Sequence, residues 1–159
     1  GLLTLPPFAI GGVVGNEAFL DACRSHATHR VAGTVHGCPA RPAAVEAAVR
    51  RFFAGESCPT AIIVTDLVLA IGLYTTLARM GRQIPREVSV ISTGHWSILD
   101  FLRPPPTCYS YSWEKLSHRI LRIIDGHLRF GRWPDSAWKL LPSLQKGGSV
   151  GAPDSRRKP

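Results

Sequence analysis

Two short apolar runs flanking a single helical stripe constrain this chain more than any other feature. Thr60-Ala61-Ile62-Ile63-Val64-Thr65 is continuous and mostly apolar, the pattern of a strand covered on both faces. Glu87-Val88-Ser89-Val90-Ile91-Ser92 supplies the next strand. Between them Asp66 opens, and Gly81 closes, a segment in which Leu69, Leu73, Tyr74, Leu77 and Met80 trace a helix. Pro85 keeps that helix from running on into the second strand. A strand, a crossover helix and a second strand close most readily into a right-handed unit with parallel strands. The fold class is therefore α/β, with Thr60–Thr65 as a central strand.

The alternation extends in both directions. FAIGGVV at 8–14 reads as a strand ending in glycines, and NEAFLDACR at 16–24 as a helix carrying Phe19, Leu20 and Cys23 on one side. A β-prone stretch lies within His29 to Val35, and the Gly/Pro-rich segment 37–42 follows it. Pro42 suits the first turn of a helix with Val45, Val49, Phe52 and Phe53 on one stripe and Gly55 as its stop. Thr93 to Thr107 reads as a loop stiffened by Pro104, Pro105 and Pro106. A helix is expected over Trp113–Phe130, with Leu116, Ile120, Ile123, Ile124 and His127 inward, and a last short strand over Leu140–Gln145. The order predicts a parallel sheet flanked by helices on both faces, spanning 8–146. A Pro/Ser/Gly tail, 147–159, carries Arg156, Arg157 and Lys158 and reads as disordered.

With 159 residues, 45% of them hydrophobic, the chain holds one domain and enough apolar surface for a core. The longest apolar stretch, 61–74, is interrupted by Asp66 and falls short of the roughly 20 residues a membrane span needs. No secretory leader is visible ahead of the first apolar run, and a start at Gly1 suits a processed chain or a fragment. Cys23, Cys38, Cys58 and Cys108 form no C-x-x-C pair, which favours reduced thiols and a cytoplasmic location. The formal charge is +8, part of it in the tail. Arg50, Arg51, Arg79, Arg82, Arg119, Arg122 and Arg129 fall mostly on polar helix sides, where a solvated face is the plain reading. Neither the aromatic interleaving nor the compact basic stripe of nucleic-acid binders accompanies them.

Enzyme signatures are missing. There is no G-x-S-x-G elbow, no Walker loop and no carboxylate pair placed for acid/base work. His26-x-x-His29 has a metal-ligand spacing without a third ligand nearby. The reading is a non-enzymatic chain with no cofactor and no metal. In open parallel sheets ligands lie beyond the carboxyl ends of the strands. That selects Gly15-Asn16, His36 to Arg41, Thr65-Asp66 and Thr93 to Trp96. Asp66 is both a preferred helix cap and a candidate ligand contact. Trp96 can stack on a ligand ring or plug its loop against the sheet, and His95 can hydrogen-bond a ligand or stay in solvent.

The matches Pro59-Thr60-Ala61-Ile62, Asp66, Ala70, Gly72, Leu77, Gly81, Ile84-Pro85 and Val88-Ser89-Val90-Ile91 stand in register, followed by LRPPPT and LLPSLQKGGSVG. With them the chain, over about residues 8–150, resembles the effector-binding domain of the lactose/galactose-repressor family of bacterial transcription regulators. The resemblance implies one lobe, the carboxyl-terminal one, of a two-lobed type I periplasmic-binding architecture with a small, sugar-like effector in the cleft. It implies a helix-turn-helix headpiece and a first lobe ahead of Phe8 in a full-length member, so that operator DNA is reached only through a missing N-terminal domain. It also implies that Trp113–Phe130 crosses onto the first lobe and shows an exposed apolar patch here, and that Pro42–Ala54 and Leu67–Met80 pair in a homodimer. The implied effector-binding set is Asp66, Thr65, His95, Trp96, His36 and Arg41, with Tyr111 at a hinge-like crossing. Several family residues differ: Gly15 replaces a sugar-contacting arginine, Thr65-Asp66 an Asn-Asp pair, and Gly94 a sugar-binding aspartate. A typical sugar site needs such charge-assisted bonds. A periplasmic solute receptor and a ligand-free dimerisation module are the other readings.

Overall fold

The computed structural model describes residues 1–6, 10–25, 31–55, 58–133 and 140–152. Six strands form one sheet: β1 Leu2–Thr4, β2 Val35–Gly37, β3 Ala61–Val64, β4 Ser89–Ser92, β5 Thr107–Ser110 and β6 Ser143–Gln145. Four helices join them: α1 Ile10–Ser25, α2 Pro42–Phe52, α3 Leu67–Arg79 and α4 Trp113–Phe130, with a 3-10 turn at Ser97–Phe101. The strand order is β2-β1-β3-β4-β5-β6, with every pair parallel except β5 with β6.

This order makes the connections reverse direction once. From β1 the chain moves outward to β2, and from β2 it crosses back over β1 to β3 and on to β4. Right-handed crossovers therefore put α1 on one face of the sheet and α2 and α3 on the other. The core lies under α2 and α3, where Val45, Val49, Leu69, Leu73 and Leu77 meet Leu3, Ile62, Val64 and Val90, all essentially inaccessible. Burying side chains of this size contributes about 1.5–3 kcal/mol each. Glu46 joins the two helices at the surface, bonding Arg50 at 2.9 Å and Arg79 at 3.2 Å.

Asp66 caps α3 as expected, its Oδ1 accepting from the amides of Val68 at 2.8 Å and Leu69 at 3.3 Å. Gly81, at φ +69°, ends it. Asp66→Ala is expected to cost about 1 kcal/mol in urea denaturation, whereas Asp66→Asn keeps the cap and stays within a few tenths.

Tyr74 of α3 is buried, and burial pushes its phenol up to about 12. Ser149 opposes the shift weakly, its contact falling outside hydrogen-bond geometry, so desolvation decides. A raised phenol pKa stabilises the fold below pH ~10, and that stability fades as pH rises through about 12. Absorbance titration should show a phenol step that appears only near unfolding, and Tyr74→Phe should remove it.

Several expectations are corrected. The strand placed at 8–14 is instead Leu2–Thr4, so the domain starts before residue 8, and the backbone from Ile10 is helical. Val13 and Val14 favour strand locally, but the slot between β2 and β3 is already filled by Leu2-Leu3-Thr4, and tertiary placement prevails. The second strand is Val35–Gly37, just past the stretch expected to hold it. β3 is interior in the sheet but covered fully on one face only: Ile62 and Val64 are buried and Ile63 is partly buried. Thr107 opens a fifth strand instead of ending a loop.

The tail is ordered through residue 151. The Val90 amide donates to the Ser149 carbonyl at 2.9 Å and the Gly148 amide to the Pro105 carbonyl at 2.9 Å, while Ser89 Oγ and the Gly151 amide lie 3.2 Å apart. Arg156, Arg157 and Lys158 fall outside the described residues, as do His26 and His29. All four cysteines are unpaired, and burial pushes the Cys38 and Cys108 thiols up, away from reactivity. Among the described residues no helix is long and apolar enough to cross a membrane.

α4 carries no buried residue. Its N-cap Ser112 accepts from the Lys115 amide at 3.2 Å and Gly131, at φ +68°, ends it, so it is well formed yet unpartnered on its apolar stripe. Ile120 and Ile124 are about half exposed and Trp113 is 72% exposed. The expected apolar patch is present.

Candidate functional site

Because β1 to β5 run parallel, their carboxyl ends share one edge of the sheet. The register places Val64 beside Ser92 and Leu3, and Thr4 beside Gly37. Thr65-Asp66 and Thr93–Trp96 thus leave adjacent strands at the same rim, with His36–Arg41 on the far side of β1. Tyr111 follows β5, whose Cys108 pairs with Ser92, and so lies beyond the same edge.

The connections reverse between β1 and β3, the point where an open α/β sheet parts its loops and leaves a crevice. There Thr65 Oγ1 lies 3.2 Å from Thr4 Oγ1, a pair of hydroxyls facing each other across the switch point. Asp66 stands beside them. Its two helix-capping bonds use Oδ1, and among the described residues Oδ2 has no partner. The site therefore offers one free carboxylate oxygen and two hydroxyls, an array suited to a polar molecule bearing hydroxyl or amino groups.

The other candidates play more structural parts. Trp96 packs against the core, and its indole lies against Gly94 so closely that a side chain at 94 would collide with it. The plug reading of Trp96 describes this arrangement, and the room an aspartate would need at 94 is occupied. His95 Nε2 meets Asp100 Oδ1 at 3.2 Å, which fixes the imidazole to the 3-10 turn at the rim. The His36 ring tilts at 47° on Phe52, 4.2 Å between centroids, and serves packing at the end of β2. Arg41 sits exposed at the N-cap position of α2 without a side-chain cap bond. Tyr111 is 44% exposed. The sequence reading brought Thr65, Asp66, His95 and Trp96 together on adjacent loops and missed Thr4, whose strand of three residues carries no periodic signal.

The family model described as a periplasmic binding protein-like domain matches residues 15–150. The chain belongs to this family. The periplasmic binding protein-like domain here is similar to solved regulators. A LacI family transcriptional regulator from Bifidobacterium animalis subsp. lactis aligns with 96% of the chain and 55% of its own length, at TM-score 0.86 and 18% identity. The Escherichia coli transcriptional repressor ascG aligns over 96% and 55%, at TM-score 0.79 and 18% identity. A LacI family transcriptional regulator from Enterococcus faecalis, solved with bound ribose, aligns over 94% and 53%, at TM-score 0.70 and 21% identity. The domain thus spans a little over half the length of these structures, and the likeness shows the shared fold. No curated protein matches the sequence.

Proposed function

We propose that this domain is the effector-sensing, carboxyl-terminal lobe of a cytoplasmic, non-enzymatic transcription regulator of the lactose/galactose-repressor kind. It supplies one wall of a cleft, with Asp66 Oδ2 and the Thr4 and Thr65 hydroxyls as the polar contacts at the switch point. His95, His36, Arg41 and Tyr111 border that wall, and Trp96 shapes its floor by filling the volume above Gly94. The ligand is a small molecule with several hydroxyl or amino groups. A plain sugar loses the arginine and aspartate contacts at Gly15 and Gly94. Binding favours the closed arrangement of two lobes by its differential affinity for it, and so shifts operator DNA affinity of an N-terminal headpiece outside this chain.

The observation that carries this reading is the unshared apolar stripe of α4 beside the rim, a surface suited to seating a second lobe across the cleft. Homodimer formation through α2 and α3 belongs to the same proposal. The coding sequence upstream of Gly1 is the direct test: a helix-turn-helix and a first lobe support the regulator, and a secretory leader assigns the chain to solute receptors instead.

A ligand test needs that upstream first lobe present. Sugars, sugar phosphates and purines are screened by thermal shift, and the best ligand is titrated against Asp66→Asn. Loss of a hydrogen bond to a charged oxygen predicts at least tenfold weaker binding at unchanged stability. Concentration-dependent dimers with no shift from any ligand identify a dimerisation module instead.

A further inference from the structure

A second hollow lies away from the strand ends, on one flank of α4. It encloses about 380 Å³ and is lined in part by Arg119, Arg122, Gly126 and Phe130 of the helix and by Arg132 and Trp133 just past its end. Ile123, on the inward stripe with Ile120 and Ile124, also lines it, so the hollow borders that stripe.

We propose that this hollow binds a free nucleoside phosphate, a phosphate ester carrying a planar ring. Five described arginines, Arg24, Arg50, Arg79, Arg82 and Arg129, are ion-paired. Arg122 and Arg132 converge on the hollow with no carboxylate within 4 Å among the described residues. Two guanidinium forks that line one cavity, without a carboxylate partner among the described residues, suit a bidentate phosphate.

The ring is read from Trp133. The His127 imidazole stacks on its indole at 4.0 Å and 9°, which holds the ring in place, and Trp133 remains 59% exposed, with no second ring against it among the described residues, which leaves area for a base to stack. Gly126 adds access: a Cβ there would meet nothing within 4 Å. The volume suits a small ligand, at the low end of the roughly 300–1,000 Å³ usual for such sites.

The test titrates adenosine monophosphate into the purified chain, read by tryptophan fluorescence and calorimetry. Saturable binding is expected, with adenosine alone and inorganic phosphate alone at least about tenfold weaker. Arg122→Ala, Arg132→Ala and Trp133→Ala should each weaken it by about tenfold, with circular dichroism and melting unchanged. Arg122→Lys should recover only part of the loss. Asp66→Asn should leave this binding untouched, which separates it from the strand-end site. Lack of saturation up to about 1 mM, unchanged affinity in any of the three alanine variants, or tighter binding of a single-stranded oligonucleotide than of the mononucleotide overturns the proposal.

Discussion

Ser149→Ala should lower the unfolding free energy by about 3 kcal/mol, although it removes a single oxygen. That hydroxyl is fully buried and bonded on both sides: it donates to the Val90 carbonyl at 2.5 Å and accepts from the Thr107 amide at 2.7 Å. Ser149 thus joins β4 to the start of β5, at the end of the pairing that begins with Ile91 and Thr107. Without it a backbone donor and a backbone acceptor are left in the interior, each costing about 1–3 kcal/mol. The urea midpoint should fall with an unchanged slope, and the melting temperature by roughly 6–12 °C. A loss under about 1 kcal/mol would mean that water reaches both groups.

Gly72→Val should cost about as much, for a steric reason. A Cβ at 72 would stand 2.6 Å from Val45 Cγ1 and 3.0 Å from Val45 Cβ, so α2 and α3 approach across the bare backbone of Gly72. Val45 is completely buried and rigid at its branch point, and yielding would require the helices to part. The expected loss is about 3 kcal/mol. Val45→Ala alone should cost about 2 kcal/mol through its cavity. Combined, the two should destabilise by at least about 1 kcal/mol less than the sum of the singles, because the truncated partner accepts the new methyl groups. Strict additivity would show that Gly72 is needed for something other than this contact.

Gly72 was visible in the sequence as one of the residues that carry the family resemblance, as was the whole unit from Pro59 to Ile91. Its strands are apolar, its helix has an Asp66 cap and a Gly81 stop, and each signal is local. β1 and β5 were not legible in the same way. Three or four residues such as Leu2-Leu3-Thr4 or Thr107-Cys108-Tyr109-Ser110 hold no periodicity, and they become strands because neighbours on both sides pair with them.

The candidate site divides along the same line. Thr65, Asp66 and His95 were found by asking which residues follow a strand, a question that topology answers without coordinates. Thr4 escaped it because its strand did. The fate of Trp96 also needed three dimensions, since its indole can lie where it does only because Gly94 carries no side chain. What looked in sequence like a lost ligand residue is, in space, the room that Trp96 occupies.

The chain leaves the sheet after β5 and comes home as β6 beside that strand, and just beyond, Ser149 and Gly151 bond to Val90 and Ser89 of β4. The segment between β5 and β6, α4 included, hangs from two moorings set side by side. A body carried on that helix can swing about the pair as a door swings about its pin, but it cannot glide along the sheet without tearing one of them loose.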